Sequence, residues 1–184
     1  MKPKILFIGA STGGPTLIKE LLLSLENLSY TIVVAQHMRE EILPFFIKDL
    51  NDSIDFCVKS TPTTLTLNEP EIIICSQSVR VEKKLGCFEF VADSQEQIYT
   101  PDINKLLNSF IPYANEFDMG IIILTGIGSD GANGAKNLKR YGCKIIAQDE
   151  KTSPVYGMPK AVVEMGITDE IKSFQEIKNY MKEF

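Results

Sequence analysis

Three side chains of this sequence could do chemistry together. They are a serine in Gly9-Ala10-Ser11-Thr12-Gly13-Gly14, the only histidine (His37), and an aspartate in Thr125-Gly126-Ile127-Gly128-Ser129-Asp130-Gly131. A serine hydroxyl is a weak nucleophile until a base takes its proton. An imidazole does this best when a carboxylate fixes its tautomer and steadies the charge it acquires. Ser11, His37 and Asp130 supply that set, with Asp130 expected to accept the Nδ1 hydrogen of His37. Any serine–histidine catalysis within a single chain must run through His37.

Each residue also has a plainer reading. Ser11 sits in a literal G-x-S-x-G, the pattern that thrusts a serine out on a strand-to-helix turn, but the same turn could cap a helix or cradle a phosphate. A lone histidine is more often a hydrogen-bonded core or surface residue, and an aspartate before a helix more often a cap. What singles the three out is joint placement, each just past the predicted end of a strand. Their order, Ser then His then Asp, differs from the Ser, Asp, His order of α/β-hydrolases, so the motif does not import that fold. A nucleotide-binding Rossmann-like domain is the alternative. Against it, Ser11 stands where the dinucleotide fingerprint has its second glycine, and the second strand ends in Gln36-His37 rather than an acidic residue.

The elements that must position these groups follow from the apolar pattern. Residues 5–8 form a continuous β-branched run, as a fully buried strand would, and Pro15 opens a helix with Leu17, Ile18, Leu21, Leu22 and Leu25 on one stripe. Residues 31–35 predict a second strand and 42–50 a second helix. Short extended segments follow at 56–59, 64–67, 71–75, 79–82 and 87–91, the last two joined by a Lys84-Leu85-Gly86 turn. Asp102 caps a helix carrying Ile103, Leu106, Leu107 and Phe110. Residues 120–124 are the most apolar strand, followed by a helix to Tyr141, and residues 144–147 are the last clear strand. Ser173 to Glu176 is a capping box. The expected fold is a doubly wound, mainly parallel α/β sheet with helices on both faces and an antiparallel hairpin. Such sheets bind ligands beyond the carboxyl ends of their strands. The segment 148–153, after the last clear strand, could rim the same crevice.

Composition narrows the function. The 184 residues carry 19 basic and 24 acidic side chains, a net charge of −5, with no basic stripe, so nucleic acid is not the expected partner. Four cysteines without a C-x-x-C pair, together with one histidine, supply a zinc site poorly, and no metal or cofactor is called for. Cys57, Cys75, Cys87 and Cys143 read as reduced core thiols of a cytoplasmic protein. No apolar run is long enough for a signal peptide's core or a membrane span.

Taken together, residues 9–15, Gln36-His37-Met38, residues 124–132, residues 147–150 and Tyr156-Gly157-Met158-Pro159-Lys160 resemble one family, the catalytic domain of the chemotaxis receptor methylesterase CheB. The resemblance spans essentially the whole chain, with matching motif order. It implies a protein-glutamate methylesterase that hydrolyses glutamyl methyl esters on the cytoplasmic helices of methyl-accepting chemoreceptors. Many members also deamidate receptor glutamines, a protein-glutamine glutaminase activity. The family's serine, histidine and aspartate fall on Ser11, His37 and Asp130.

In that mechanism the backbone amides of Thr12 and Ile127 would hold the oxyanion. Met158 is a candidate pocket residue, although core filling is its commoner role. Asp130→Asn is expected to fold normally yet lose activity through the wrong tautomer. The sequence departs from the family in three ways. It begins at the first catalytic strand, so a single catalytic domain over residues 1–184 with no receiver domain is expected. Ile127 stands where methionine is usual. Ser76-Gln77-Ser78 replaces a proline-glycine-histidine loop, which should alter the rim of the site. A module that binds receptors without catalysis is the second alternative.

Overall fold

The structure, a computed structural model, describes residues 2–66, 69–93 and 99–184. Its centre is β1 (Lys4–Ala10), an almost wholly buried strand that must be covered on both faces. After α1 (Gly14–Leu23), β2 (Thr31–Gln36) pairs with β1 in parallel, Ile5 opposite Thr31. Next come α2 (Leu43–Ser53), β3 (Val58–Ser60), β4 (Thr63–Leu65), β5 (Ile72–Ile74), β6 (Val79–Lys84) and β7 (Cys87–Ala92). The chain continues through α3 (Ile103–Ser109) and a 3₁₀ turn at Ile111–Glu116 to β8 (Asp118–Ile123), which pairs with the other edge of β1. The remainder is α4 (Ala132–Lys139), β9 (Lys144–Gln148), α5 (Met158–Glu164), β10 (Glu170–Lys172) and α6 (Phe174–Glu183).

The large sheet has seven parallel strands in the order β10-β9-β8-β1-β2-β5-β3, and β4, β7 and β6 form a separate antiparallel sheet. The expected fold class holds, with a change in the middle. Of the five short segments, β3 and β5 extend the parallel sheet, while the other three build the small one. A three-residue strand carries too little pattern to reveal its partner. The predicted strand at 64–67 ends at Leu65, and its residue 67 lies outside the described residues. The edge strand β10 and the helix α5 were not anticipated, since β10 is short and alternates weakly.

Successive residues of β1 face opposite sides, which divides the core. Ile5 and Phe7 pack with α3, α4, α5 and the small sheet. Leu6 and Ile8 pack with α1, α2 and α6. Of the thiols expected in the core, Cys75 and Cys143 are buried, but Cys57 and Cys87 are exposed. Cys57 precedes an edge strand and Cys87 opens a hairpin arm, positions with one side to water. Among the described residues no helix is long and apolar enough to cross a membrane, and no cluster of three or more His, Cys, Asp or Glu could hold a metal ion.

Candidate functional site

From β1 the chain runs one way to β2 and later returns to the other side as β8. The carboxyl end of β1 is therefore a topological switch point, the place where such sheets open a crevice. The parallel ladder continues one residue past the strands. His37 N–H donates to the Ala10 carbonyl at 2.9 Å, and Ser11 N–H donates to the Thr125 carbonyl at 2.9 Å. This pins the serine turn between the two neighbouring loops. It also commits the Ser11 amide, so the first N–H of the turn without a partner among the described residues belongs to Thr12.

The turn closes because of its glycines. Gly13 has φ +83 and precedes α1, where Pro15 occupies the first turn. Gly14 is fixed by space: a Cβ there would sit 2.0 Å from Gln36 Oε1. The Gln36 amide donates from Nε2 to the carbonyls of Ser11 at 2.9 Å and His37 at 2.8 Å, tying the serine turn to the histidine. Its Oε1 is buried without a partner among the described residues, turned toward Gly14. The second turn is braced similarly. Gln148 Oε1 accepts the Thr125 N–H at 3.0 Å, and Thr125 Oγ1 donates to the Thr12 carbonyl at 2.8 Å. Gln148 therefore braces the second turn, and no residue of the segment 148–153 lines the cleft that holds Ser11 and His37.

His37 and Asp130, 93 residues apart, meet at 2.8 Å between Nε2 and Oδ2, with side chains 11% and 1% exposed. The expected contact was to Nδ1, and the structure reverses the two nitrogens. A deprotonated carboxylate only accepts, so Nε2 carries the hydrogen, and in the neutral ring Nδ1 is left with the lone pair. Asp130 also accepts the N–H groups of Ile103 at 2.8 Å, Asn104 at 3.0 Å and Gly131 at 2.8 Å. The first two open α3, so the carboxylate caps one helix while standing just before another. Burial alone would push its pKa up. The bond from His37 and the amides of Ile103 and Asn104 outweigh that and hold it below the ordinary carboxylate value. The neighbouring Asp102, the side-chain cap of α3, is pushed up by burial and by the charge of Asp130.

Ser11, Thr12, His37 and Ile127 line one open cleft of about 920 Å³, together with Met38, Arg39, Glu40, Glu41, Ile42, Tyr99 and Thr100. Ile127 is 64% exposed, and its N–H has no partner among the described residues. Met158 is fully buried beneath Gly126, whose Cβ would lie 2.4 Å from the methionine sulfur, and it is not a lining residue. This is the core-filling role.

The Ser76-Gln77-Ser78 segment is not part of the cleft wall. Ser76 and Gln77 line a neighbouring groove that shares Glu40 with the cleft, and Ser78 Oγ accepts the Asp102 N–H at 2.8 Å at the start of α3. Sequence reasoning missed the rim residues Arg39, Glu40 and Glu41, which adjacency to His37 could have suggested. It also missed Tyr99, for which no local pattern exists.

A doubly wound sheet carrying a hydroxyl, a carboxylate-bound imidazole and unpartnered amides at its switch point defines a class of domain. Comparison with known proteins gives the particular family. The family model for CheB methylesterase matches residues 6–181, and the chain belongs to that family. A protein-glutamate methylesterase/protein-glutamine glutaminase of Nitratidesulfovibrio vulgaris is 35% identical over 178 residues, covering 94% of this chain and 48% of that relative. One from Borreliella burgdorferi is 31% identical over 182 residues, covering 97% and 47%. The chain thus spans about half the length of the curated relatives it matches. The crystal structure of the Thermotoga maritima CheB methylesterase catalytic domain is similar over 100% of this chain and 99% of that one, with a TM-score of 0.86 at 28% identity.

Proposed function

We propose that this chain is a serine hydrolase that removes methyl esters from glutamate side chains of chemoreceptors, and that it deamidates receptor glutamines by the same route. Ser11 Oγ attacks the side-chain carbonyl while His37 Nδ1 takes its proton, and Asp130 steadies the imidazolium through Nε2. The N–H groups of Thr12 and Ile127 receive the oxyanion. The imidazolium then protonates the departing methoxide, releasing methanol, or ammonia from an amide. Water, deprotonated by the same imidazole, cleaves the glutamyl-enzyme to a glutamate carboxylate and restores Ser11. No cofactor takes part. The substrate segments are cytoplasmic helices of methyl-accepting receptors, so the enzyme works in the cytoplasm without inserting into the membrane.

The observation that carries this reading is the 2.8 Å contact of the sole imidazole with a buried carboxylate, on the cleft that Ser11 also lines. The rim agrees with it. Glu40 and Glu41 outweigh Arg39 there, which suits a neutral ester and disfavours both the carboxylate product and a nucleotide's phosphates. The test is methanol release from methylated receptor membranes. Turnover that Ser11→Ala abolishes supports the reading. Equal release by wild type and Ser11→Ala overturns it, and receptor binding without methanol release selects the non-catalytic module.

A further inference from the structure

The ring of Tyr99 lies flat on the imidazole of His37, with centroids 4.9 Å apart and planes 4° from parallel. Its hydroxyl reaches the opposite loop, where a Cβ on Gly128 would come within 2.9 Å of it. Gly128 has φ +88, so this position takes glycine for its backbone as well as for the tyrosine. Tyr99 thus spans from the histidine to the residue after Ile127. The segment that follows it is anchored at two points. Met38 N–H donates to the Thr100 carbonyl at 3.3 Å, and Asp102 is held by Ser78 and caps α3.

Among the described residues His37 has one polar anchor on its ring, the Nε2 bond to Asp130. A single hydrogen bond fixes one atom and leaves the ring free to rock about it. A parallel aromatic face removes that freedom. The same face attracts a cation within about 6 Å of its centroid, and the imidazole becomes one only after it has taken a proton.

We infer that Tyr99 is a positioning residue for the proposed reaction: its ring holds the plane of His37 and favours the imidazolium that forms as the serine is deprotonated. This rests on the proposed function above for its kinetic arm, but not for its titration arm. The charged groups around His37 are Asp130 from the β8–α4 loop, which bonds it, Asp102 from the start of α3, and Arg39, Glu40 and Glu41 from the β2–α2 segment, which line the same cleft.

The test compares Tyr99→Phe, which keeps the ring, with Tyr99→Leu and Tyr99→Met, which keep apolar cover without it. Methanol release gives kcat and KM across pH, and NMR follows the imidazole without substrate, unambiguously because there is one histidine. Tyr99→Phe should stay within about twofold of wild type. The two aliphatic variants should lose roughly 3- to 30-fold in kcat with little change in KM. The acid limb of their profile and the midpoint of the imidazole titration should both move to lower pH. A merely structural tyrosine would lower activity without moving the titration, and that result overturns the inference. So does a Phe variant as damaged as Leu, which would assign the effect to the hydroxyl. If wild type releases no methanol, the functional reading fails, while the titration still decides whether Tyr99 acts on His37.

Discussion

Replacing Asp130 by asparagine sets the stability of the site against its chemistry. The two carboxylate oxygens accept four N–H groups: His37 and Ile103 on Oδ2, Asn104 and Gly131 on Oδ1. An amide offers one accepting oxygen and one donating nitrogen, so one side must now face donors with a donor. With the nitrogen on the Oδ1 side, Asn104 and Gly131 both lose an acceptor at a buried site. At about 1–3 kcal/mol for each orphaned donor, that costs roughly 2–6 kcal/mol.

With the nitrogen on the Oδ2 side only Ile103 is orphaned, at about 1–3 kcal/mol, because His37 can relieve the clash by accepting at Nε2. The second arrangement is the cheaper. It moves the imidazole hydrogen to Nδ1 and leaves no lone pair there to take the serine proton. Asp130→Asn should therefore lose about 1–3 kcal/mol in urea unfolding, rather than folding as well as wild type, and about 10³–10⁴-fold in turnover. Nitrogen-15 NMR of the single histidine should report the hydrogen on Nδ1. Because folding lowers the Asp130 pKa, its contribution to stability is present above the unfolded value near about 4 and fades as pH falls through the folded one. The stability gap between wild type and variant should narrow in that acid range. Turnover near wild type, or a gap unchanged at low pH, would refute this reasoning.

Other outcomes follow from the same geometry. Ser11→Ala and His37→Ala should each remove roughly 10⁴-fold of kcat, and the double variant should be little worse than either single one in the methanol assay. Ile127→Ala keeps the backbone N–H and removes an exposed side chain, so kcat should stay within about threefold and thermal stability within about 0.5 kcal/mol. Gly14→Ala drives a Cβ toward Gln36 Oε1 and to 2.8 Å from Ala10 Cβ, and should lower stability by about 1–3 kcal/mol in thermal melts.

The sequence alone determined the buried strand β1, the proline-led α1, the Asp102 and Ser173 caps and the parallel α/β class, because each is written in neighbouring residues. It also singled out Ser11, His37 and Asp130 as candidates, since a lone histidine and two glycine-rich turns leave few combinations, and the structure sets Ser11 and His37 on one cleft with Asp130 against the imidazole. Tertiary structure decided what depends on distant partners. That Nε2 of the imidazole meets Asp130 is seen only once the β2 and β8 ends lie side by side in the sheet with β1 between them. Three backbone amides on that carboxylate, two of them from the start of α3, became visible only once α3 docked beside the β8 loop. The stack of Tyr99 on His37 and the descent of Met158 into the core have the same origin. A local pattern encodes which face of a strand or helix is apolar. Pairings across 60 or 90 residues are fixed by packing, where the free energy of a contact depends on groups that no stretch of sequence holds together.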